Sequence, residues 1–372
     1  MPWREVTPVS ERTEFIAFAN QDELTMSALC RRFGVSRKTG YKWLRRARDA
    51  GLAGLADRPR RPLRSPLRTD RDVEAFICAL RGEHPAWGGR KLHHLLRNDG
   101  FPSPPAPSTI TGMLRRNGLL TPERPPPRDW QRFEETSPNG LWQMDFKGPF
   151  ATAEGRCHAL TVLDDHSRFN LCLAACANQQ GQTVRAQLTS VMQRYGLPDR
   201  MLMDNGSPWG SDAFHQHTWF TAWLIRLGVA VSHGRPYHPQ TQGKEERFHR
   251  TLELEVLRSR CWQSLADVQC AFDAWRTVYN LLRPHESLAQ ATPASRYRPS
   301  PRPFPATLPP IEYAPGDEVR KVQQKGLIHF RGREILISRA FIGEPVGLRP
   351  VGDSIWDVYY CYQQIGQIDL TR

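Results

Sequence analysis

Trp142-Gln143-Met144-Asp145-Phe146-Lys147 sets three apolar residues against three polar ones with a period of two. That alternation predicts a strand with one face in a core and a carboxylate on the other. Two further apolar runs, 157–163 and 169–176, flank Asp164-Asp165-His166-Ser167-Arg168, whose side chains suit a tight turn, so three antiparallel strands are expected. A helix fits 180–195. Arg200-Met201-Leu202-Met203-Asp204 reads as a short buried strand ending in a carboxylate. A helix over 211–227 follows, with Phe220, Trp223, Leu224 and Leu227 on one side, and Val229 to Val231 is a fifth strand. After a turn-rich loop, 233–241, a long helix is predicted over 242–259. A last one, 264–282, stops before Pro284. Antiparallel strands followed by strands alternating with helices predict an α/β layer fold over 139–298.

Ahead of this core the pattern is helical. Residues 22–48 read as a helix-turn-helix: Thr25 caps a short helix carrying Leu29 and Phe33, Gly34 supplies a left-handed stop, and Ser36 caps a second helix, Arg37 to Arg48. Trp43, Leu44 and Ala47 lie on its inward face. Arg37, Lys38, Thr39, Tyr41, Lys42 and Arg45 remain for base edges and phosphates. Gly40 is an irregularity in mid-helix. Helices over 70–82, 89–98 and 107–117, the last capped by Ser108-Thr109, form a second small module that shows Arg115 and Arg116.

Three Pro/Arg-rich stretches, 58–69, 121–138 and 299–311, read as extended linkers, because proline removes donors and restrains the residue before it. They divide the chain into 1–57, 70–120, 139–298 and 312–372. The last segment has strand-like runs near 317–323, 326–330, 334–338, 346–350 and 355–361, and predicts a small β-barrel. Its Arg320, Lys321, Lys325, Arg331 and Arg333 suit a phosphate backbone, and an inert structural cap fits the same pattern.

The 372 residues carry 51 Lys+Arg against 38 Asp+Glu, a net charge of +13. Residues 1–128 hold 24 of the bases and 13 of the acids, so most of the surplus lies in the helical third. A basic portion joined to a balanced one points to nucleic acid as the partner. The eight cysteines form no Cys-x-x-Cys pair, which argues against a zinc knuckle or a redox motif. No apolar run is long enough to span a bilayer and no secretory signal is recognisable, so a cytoplasmic protein is expected.

Three carboxylates can serve phosphodiester chemistry. Mg²⁺ prefers hard oxygen ligands, and clustered carboxylates without a cation repel one another. Asp145 stands on the polar face of its strand. Asp204 closes a buried strand, where α/β sheets place ligands. Glu245 and Glu246 lie in the first turn of the long helix, and helical position alone does not choose between them: Glu245 falls near the Phe248, Leu252 and Val256 stripe, Glu246 off it. Lys244, Arg247 and Arg250 sit at turn spacing beside them, placed for phosphates. Asp164 and Asp165 read as turn residues that support the sheet.

Trp142-Gln143-Met144-Asp145-Phe146, then Met203-Asp204-Asn205-Gly206, then His238-Pro239-Gln240-Thr241-Gln242-Gly243-Lys244-Glu245-Glu246-Arg247-Phe248-His249-Arg250 resembles the DDE motif series of insertion-sequence transposases related to retroviral integrases. Tyr279-Asn280 and Arg283-Pro284-His285, with Leu288 and Pro293, resemble the segment that follows the catalytic motifs. The resemblance runs from 139 to 298, and more loosely to both ends. It implies an RNase-H-like core holding two Mg²⁺ or Mn²⁺ ions. It also implies binding to terminal inverted repeats, strand cleavage, strand transfer to target DNA, and a homodimer or higher oligomer on DNA.

By motif match Asp145, Asp204 and Glu246 are the metal ligands and catalytic acids, the spacing from Gly243 selecting Glu246. Tyr237, His238 and Gln240 are expected near the cleaved end. The sequence departs from the retroviral branch in two ways. A longer stretch, 41 residues, separates Asp204 from Glu246, and a helix-turn-helix replaces the zinc-binding N-terminal module. The rival readings are a catalytically silent DNA-binding repressor derived from a transposase and a stand-alone RNase-H-type nuclease.

Overall fold

The structure, a computed structural model, describes residues 7–58, 68–120, 134–210, 217–234, 243–258 and 260–371. Most of the first two Pro/Arg-rich linkers, and Tyr237, His238 and Gln240, lie outside those residues. The chain divides into two compact units, Met1–Arg68 and Thr69–Arg372.

Among its described residues the first unit holds three α-helices where two are predicted, α1 (Pro8–Asn20), α2 (Met26–Arg32) and α3 (Arg37–Ala50), and a short 3-10 turn, Gly51–Leu55. Thr25 and Ser36 cap α2 and α3, accepting from the N–H groups of Ala28 and Thr39, and Gly34 has φ +61°. Helix α1 escapes pattern reading because its apolar residues are not gathered on one face. Phe15 nevertheless packs edge-on against Phe33 at 5.4 Å, and the Arg12 guanidinium lies over Trp43 at 3.9 Å. Gly40 explains itself here. A Cβ on it would stand 2.7 Å from Cys30 Sγ and 3.0 Å from the Phe15 ring, so its bareness is what lets α3 close on α1 and α2.

The second unit opens with α4 (Arg71–Glu83), α5 (Gly89–Asn98) and α6 (Pro107–Arg116), packed around Ile77, Trp87, Leu92, Leu96, Ile110 and Met113. The predicted Ser108-Thr109 cap is corrected. The cap position is Ala106, with no side-chain capping bond, and Pro107 begins the helix, its fixed φ suited to the first helical position, where its missing N–H would have had no helical partner. Arg116 is turned onto Glu74 at 3.0 Å.

The core is a five-stranded mixed sheet of order β3-β2-β1-β4-β5. Its strands are β1 (Leu141–Thr152), β2 (Gly155–Asp164), β3 (Asn170–Cys176), β4 (Arg200–Met203) and β5 (Ala230–His233). The first three are antiparallel, while β4 and β5 run parallel to β1. Both faces are covered. Trp142, Met144, Val162 and Met201 pack with α7 (Gly181–Tyr195) and α8 (Trp219–Arg226). On the other face Ala159, Leu163 and Leu173 meet Phe248, Leu252 and Phe272 of α9 (Gly243–Leu252) and α10 (Leu265–Leu281). Helix α9 continues as a π-helical turn, Glu253–Leu257.

Side-chain amides blunt both edges of this sheet. On β3, Asn280 pairs with the N–H and C=O of Asn170 at 2.8 and 3.0 Å, and Gln269 with Ala175 N and Leu173 O. On β5, Gln363 pairs with both backbone groups of Val231, at 3.0 and 3.3 Å. Each amide fills the place of a neighbouring strand and keeps the edge from recruiting one. The Tyr279–His285 motif thus acts in part as scaffold. Beside Asn280, the buried Arg283 pairs with Glu255 at 3.2 Å, and Trp275 donates to that same carboxylate at 2.7 Å.

The third Pro-rich stretch, 299–311, forms neither helix nor strand and is strapped to the core. Ser300 N donates to Tyr195 O and Leu197 N to Arg302 O, both at 2.8 Å, and Tyr297 stacks on Phe169 at 4.4 Å. Beyond it lie β6 (Glu318–Lys321), β7 (Leu327–Phe330), β8 (Arg333–Leu336), β9 (Pro345–Pro350), β10 (Ile355–Tyr360) and β11 (Gln363–Asp369). The predicted barrel is corrected to an open sheet, β11-β10-β9-β6, with β7-β8 as a separate hairpin. Closure would need β6 to pair with β11. Instead β11 spends Gln363 on the core, and Phe341, Val346, Leu348 and Tyr360 join the core's own apolar cluster.

Candidate active site

Asp145 and Asp204 are brought together by the parallel pairing of β1 with β4. Gln143 pairs with Leu202, and two residues further along each chain stand the two acids. Asp145 Oδ1 accepts from Phe146 N at 2.8 Å. Asp204, just past β4, accepts from Gly206 N at 3.0 Å and from the Trp209 indole N–H, while its carbonyl meets His233 Nδ1 at 2.8 Å. The Trp209 ring stacks on Phe146 at 5.6 Å.

Helix α9 is zipped along the same face of β1, through residues that alternation points its way. Gln143 and Lys244 meet on Asp165; Asp145 faces His249, Oδ2 to Nδ1, at 3.9 Å; Lys147 pairs with Glu253 at 2.7 Å. Thr161, the cross-strand partner of Asp145, is the hub. Its hydroxyl stands 3.0 Å from Asp145 O, 3.0 Å from Glu245 Oε2 and 2.9 Å from His249 Nε2.

The two glutamates differ sharply. Glu245 is fully buried, and burial together with the charge on Asp145 holds its carboxyl well above the usual range despite the Thr161 bond. Glu246 is exposed. Burial and then Asp204 push the Asp145 carboxyl up to about 6 against the pull of Phe146 N, with a smaller push from Glu246. Asp145 therefore sits in the field of both other acids. His249 is pushed down to about 4 by burial and by Lys147, and is neutral at pH 7.

Among the described residues no three His, Cys, Asp or Glu side chains stand close enough to hold one metal ion together.

The other predicted residues fall in three groups. Arg37, Lys38, Tyr41, Lys42 and Arg45 are exposed on α3, whereas Thr39 is half-buried and bonded to Ser36. Arg247 and Arg250 are exposed on α9. Lys244 turns its ammonium inward onto the buried Asp165, where a paired charge resists desolvation better than an unpaired one. Asp164 ends β2 and Asp165 opens the turn, and both are buried. Asp164 accepts from Asn139 N and Ser167 N, each at 2.7 Å. Thr161, His249 and Trp209 carry no sequence signal of their own. His249 alone was within reach, standing one helical turn from both Glu245 and Glu246.

This arrangement of sheet and acids belongs to a recognisable class, the integrase cores. Residues 135–239 and 227–293 match two integrase core domain families. Residues 11–62 match a helix-turn-helix domain, 39–114 a homeodomain-like domain, and 317–372 the C-terminal domain of IS481 family transposases. An insertion element IS476 protein of Xanthomonas euvesicatoria is 27% identical over 274 residues, spanning 73% of this chain and 77% of that protein. An insertion element IS407 protein of Burkholderia multivorans is 25% identical over 227 residues, 60% of this chain and 79% of that protein. Among solved structures, a simian T-cell lymphotropic virus intasome chain aligns over 79% of this chain and 96% of its own, with 13% identity and a TM-score of 0.40. The chain is thus similar to insertion-sequence transposases, with an integrase core and an IS481-type C-terminal domain.

Proposed function

We propose that the protein cleaves DNA at the ends of an insertion sequence and joins them to target DNA, with Asp145, Asp204 and Glu246 holding two Mg²⁺ or Mn²⁺ ions. The observation that carries this reading is the placement of Asp145 and Asp204 at matching positions of adjacent parallel strands, with the Glu246 helix zipped to the same strand. The donor set suits a hard divalent cation: three carboxylates, one of them destabilised as an anion by burial first and then by its two neighbours. When bound, the ions supply charge neutralisation and activation of the attacking oxygen. Exposure favours Glu246 over Glu245, whose buried carboxyl is better suited to holding Thr161 and His249 in place.

The remaining parts follow a division of labour. Residues 1–57 grip the terminal inverted repeats through Arg37, Lys38, Thr39, Tyr41, Lys42 and Arg45 of α3. Residues 70–120 extend the grip, 139–298 carry the chemistry, and 312–372 brace the core. Arg247 and Arg250 touch phosphates beside the acids. The protein acts as a dimer or larger assembly, because two element ends must be joined.

The test uses duplex oligonucleotides carrying an element end, with Mn²⁺. Asp145→Asn, Asp204→Asn and Glu246→Gln are each expected to abolish cleavage and joining while end binding persists and weakens steeply with salt. Strand joining retained in any one variant removes that residue from the site. Binding without cleavage by the unaltered protein at every metal tried would leave a repressor.

A further inference from the structure

Asp165 lies in the β2–β3 turn with no exposed side-chain surface, an unusual place for a carboxylate that the chemistry does not use. Its bonds explain the position. Oδ1 accepts from Gln143 Nε2 at 2.6 Å and from the Lys244 ammonium; Oδ2 accepts from Glu135 N at 2.7 Å; and its own N–H donates to Leu141 O at 2.9 Å. Gln143 stands two residues before Asp145, on the same face of β1. Lys244 stands two residues before Glu246, in the first turn of α9. One buried carboxylate thus grips the chain at the same remove from two of the three acids.

We infer that Asp165 is a positioning residue that sets the separation of Asp145 and Glu246. This rests on the reading of those two acids as metal ligands. The need for such a clamp follows from where Glu246 stands. The first turn of a helix has no preceding turn to hold it, so its direction is set by what its first side chains hold, and Lys244 is held by a group that is itself bonded to β1. Asp165 does not act as a further ligand, because both its oxygens already accept from protein donors and its charge is matched by Lys244. The hydrophobic stripe of Phe248 and Leu252 fixes α9 against the sheet further along, but does not determine where the first turn points.

The experiment measures Mn²⁺ binding to the full chain by titrating free Mn²⁺ in its electron paramagnetic resonance signal, beside end cleavage at saturating Mn²⁺. Asp165→Asn and Lys244→Met are each expected to weaken Mn²⁺ binding by about ten-fold, the usual effect of losing a group that orients ligands. The double variant is expected to be no weaker than either single one, because both break the same link. Lys244→Arg restores most of the affinity. Asp165→Asn still binds a duplex end within about two-fold of the unaltered chain. If Asp165→Asn fails to fold, Lys244→Met, altered at a partly exposed position, carries the test alone. Unchanged Mn²⁺ affinity in folded Lys244→Met, or losses that add in the double variant, overturn the clamp. Asp145→Asn and Glu246→Gln serve as controls. If these leave Mn²⁺ binding intact, the three-acid site itself fails and the clamp falls with it; if they abolish binding while the Asp165 and Lys244 variants do not alter it, only the clamp is lost.

Discussion

Trp209 donates its indole N–H to Asp204 while its ring lies flat on Phe146, the residue that follows Asp145. One fully buried side chain therefore touches the neighbourhood of both strand acids. Its stack fixes the loop after β4 and its N–H fixes the carboxylate.

Trp209→Phe separates the two roles, since a phenyl ring keeps the stack and drops the donor. A hydrogen bond to a charged group contributes about 1.5–3 kcal/mol, which places the expected loss of cleavage rate at roughly ten- to a hundred-fold. End binding is expected to persist. A cleavage rate equal to that of the unaltered protein would show that the indole N–H does not order Asp204 for reaction.

Asp145 is a liability to the metal-free fold. A carboxyl raised to about 6 is protonated in both folded and unfolded chains below pH 4, and imposes no cost there. As pH rises through 4 to 6 the unfolded chain ionises freely and the folded one resists, so stability falls and stays lower at pH 7. Asp145→Asn removes that cost and is expected to stabilise the metal-free protein at pH 7 by on the order of 2 kcal/mol. The gap should close at pH 4, and Mn²⁺ should raise the melting temperature of the unaltered chain alone. Calorimetry with a chelator checks it; a variant that melts lower at pH 7 contradicts it.

Gly40→Val places two methyl groups where a single Cβ would already crowd Cys30 and Phe15. Overpacking of this kind costs about 1–3 kcal/mol, more than a gain in helix propensity offsets. The expected result is a loss of end binding with metal-dependent nicking of non-specific DNA retained by the second unit. Undiminished end binding would mean that α3 does not depend on this contact to present Arg37 to Arg45.

Much of this architecture was legible in the sequence, for a physical reason. Period-two and buried apolar runs report strands directly, and Asp145 and Asp204 stand where strand positions put them. Helix α1 was missed because its apolar residues do not share a face, so nothing periodic marks it before Phe33 and Trp43 arrive to cover them. The barrel was misjudged because strand count does not encode closure; Gln363, which decides that β11 serves the core, looks like any polar residue. Thr161 became visible only with the β1–β2 register, and Asp165 only once its turn was seen folded inward. Pair interactions across strands are set by register, which a linear pattern does not carry.

Lys91 tests how α5 is held against the core. Its ammonium donates to Pro284 O at 3.0 Å, in the Arg283-Pro284-His285 motif. Burial and the charges of Arg283 and Arg247, opposed by Glu255 and Glu286, bring it down to about 7. Below pH 7 both folded and unfolded chains carry the proton and the fold bears the full cost of a buried charge. Between pH 7 and 10.5 the unfolded chain keeps its proton while the folded one has released it, so stability contributed at this site rises with pH. Lys91→Met fills the same space without a charge and forfeits one hydrogen bond of about 1 kcal/mol. The variant is therefore expected to exceed the unaltered protein by about 1–3 kcal/mol in urea unfolding at pH 6.5, with the advantage gone by pH 10. A variant less stable at pH 6.5, or an advantage that does not change with pH, would show that the ammonium bond to Pro284 outweighs its burial and that charge, not packing, joins the two parts.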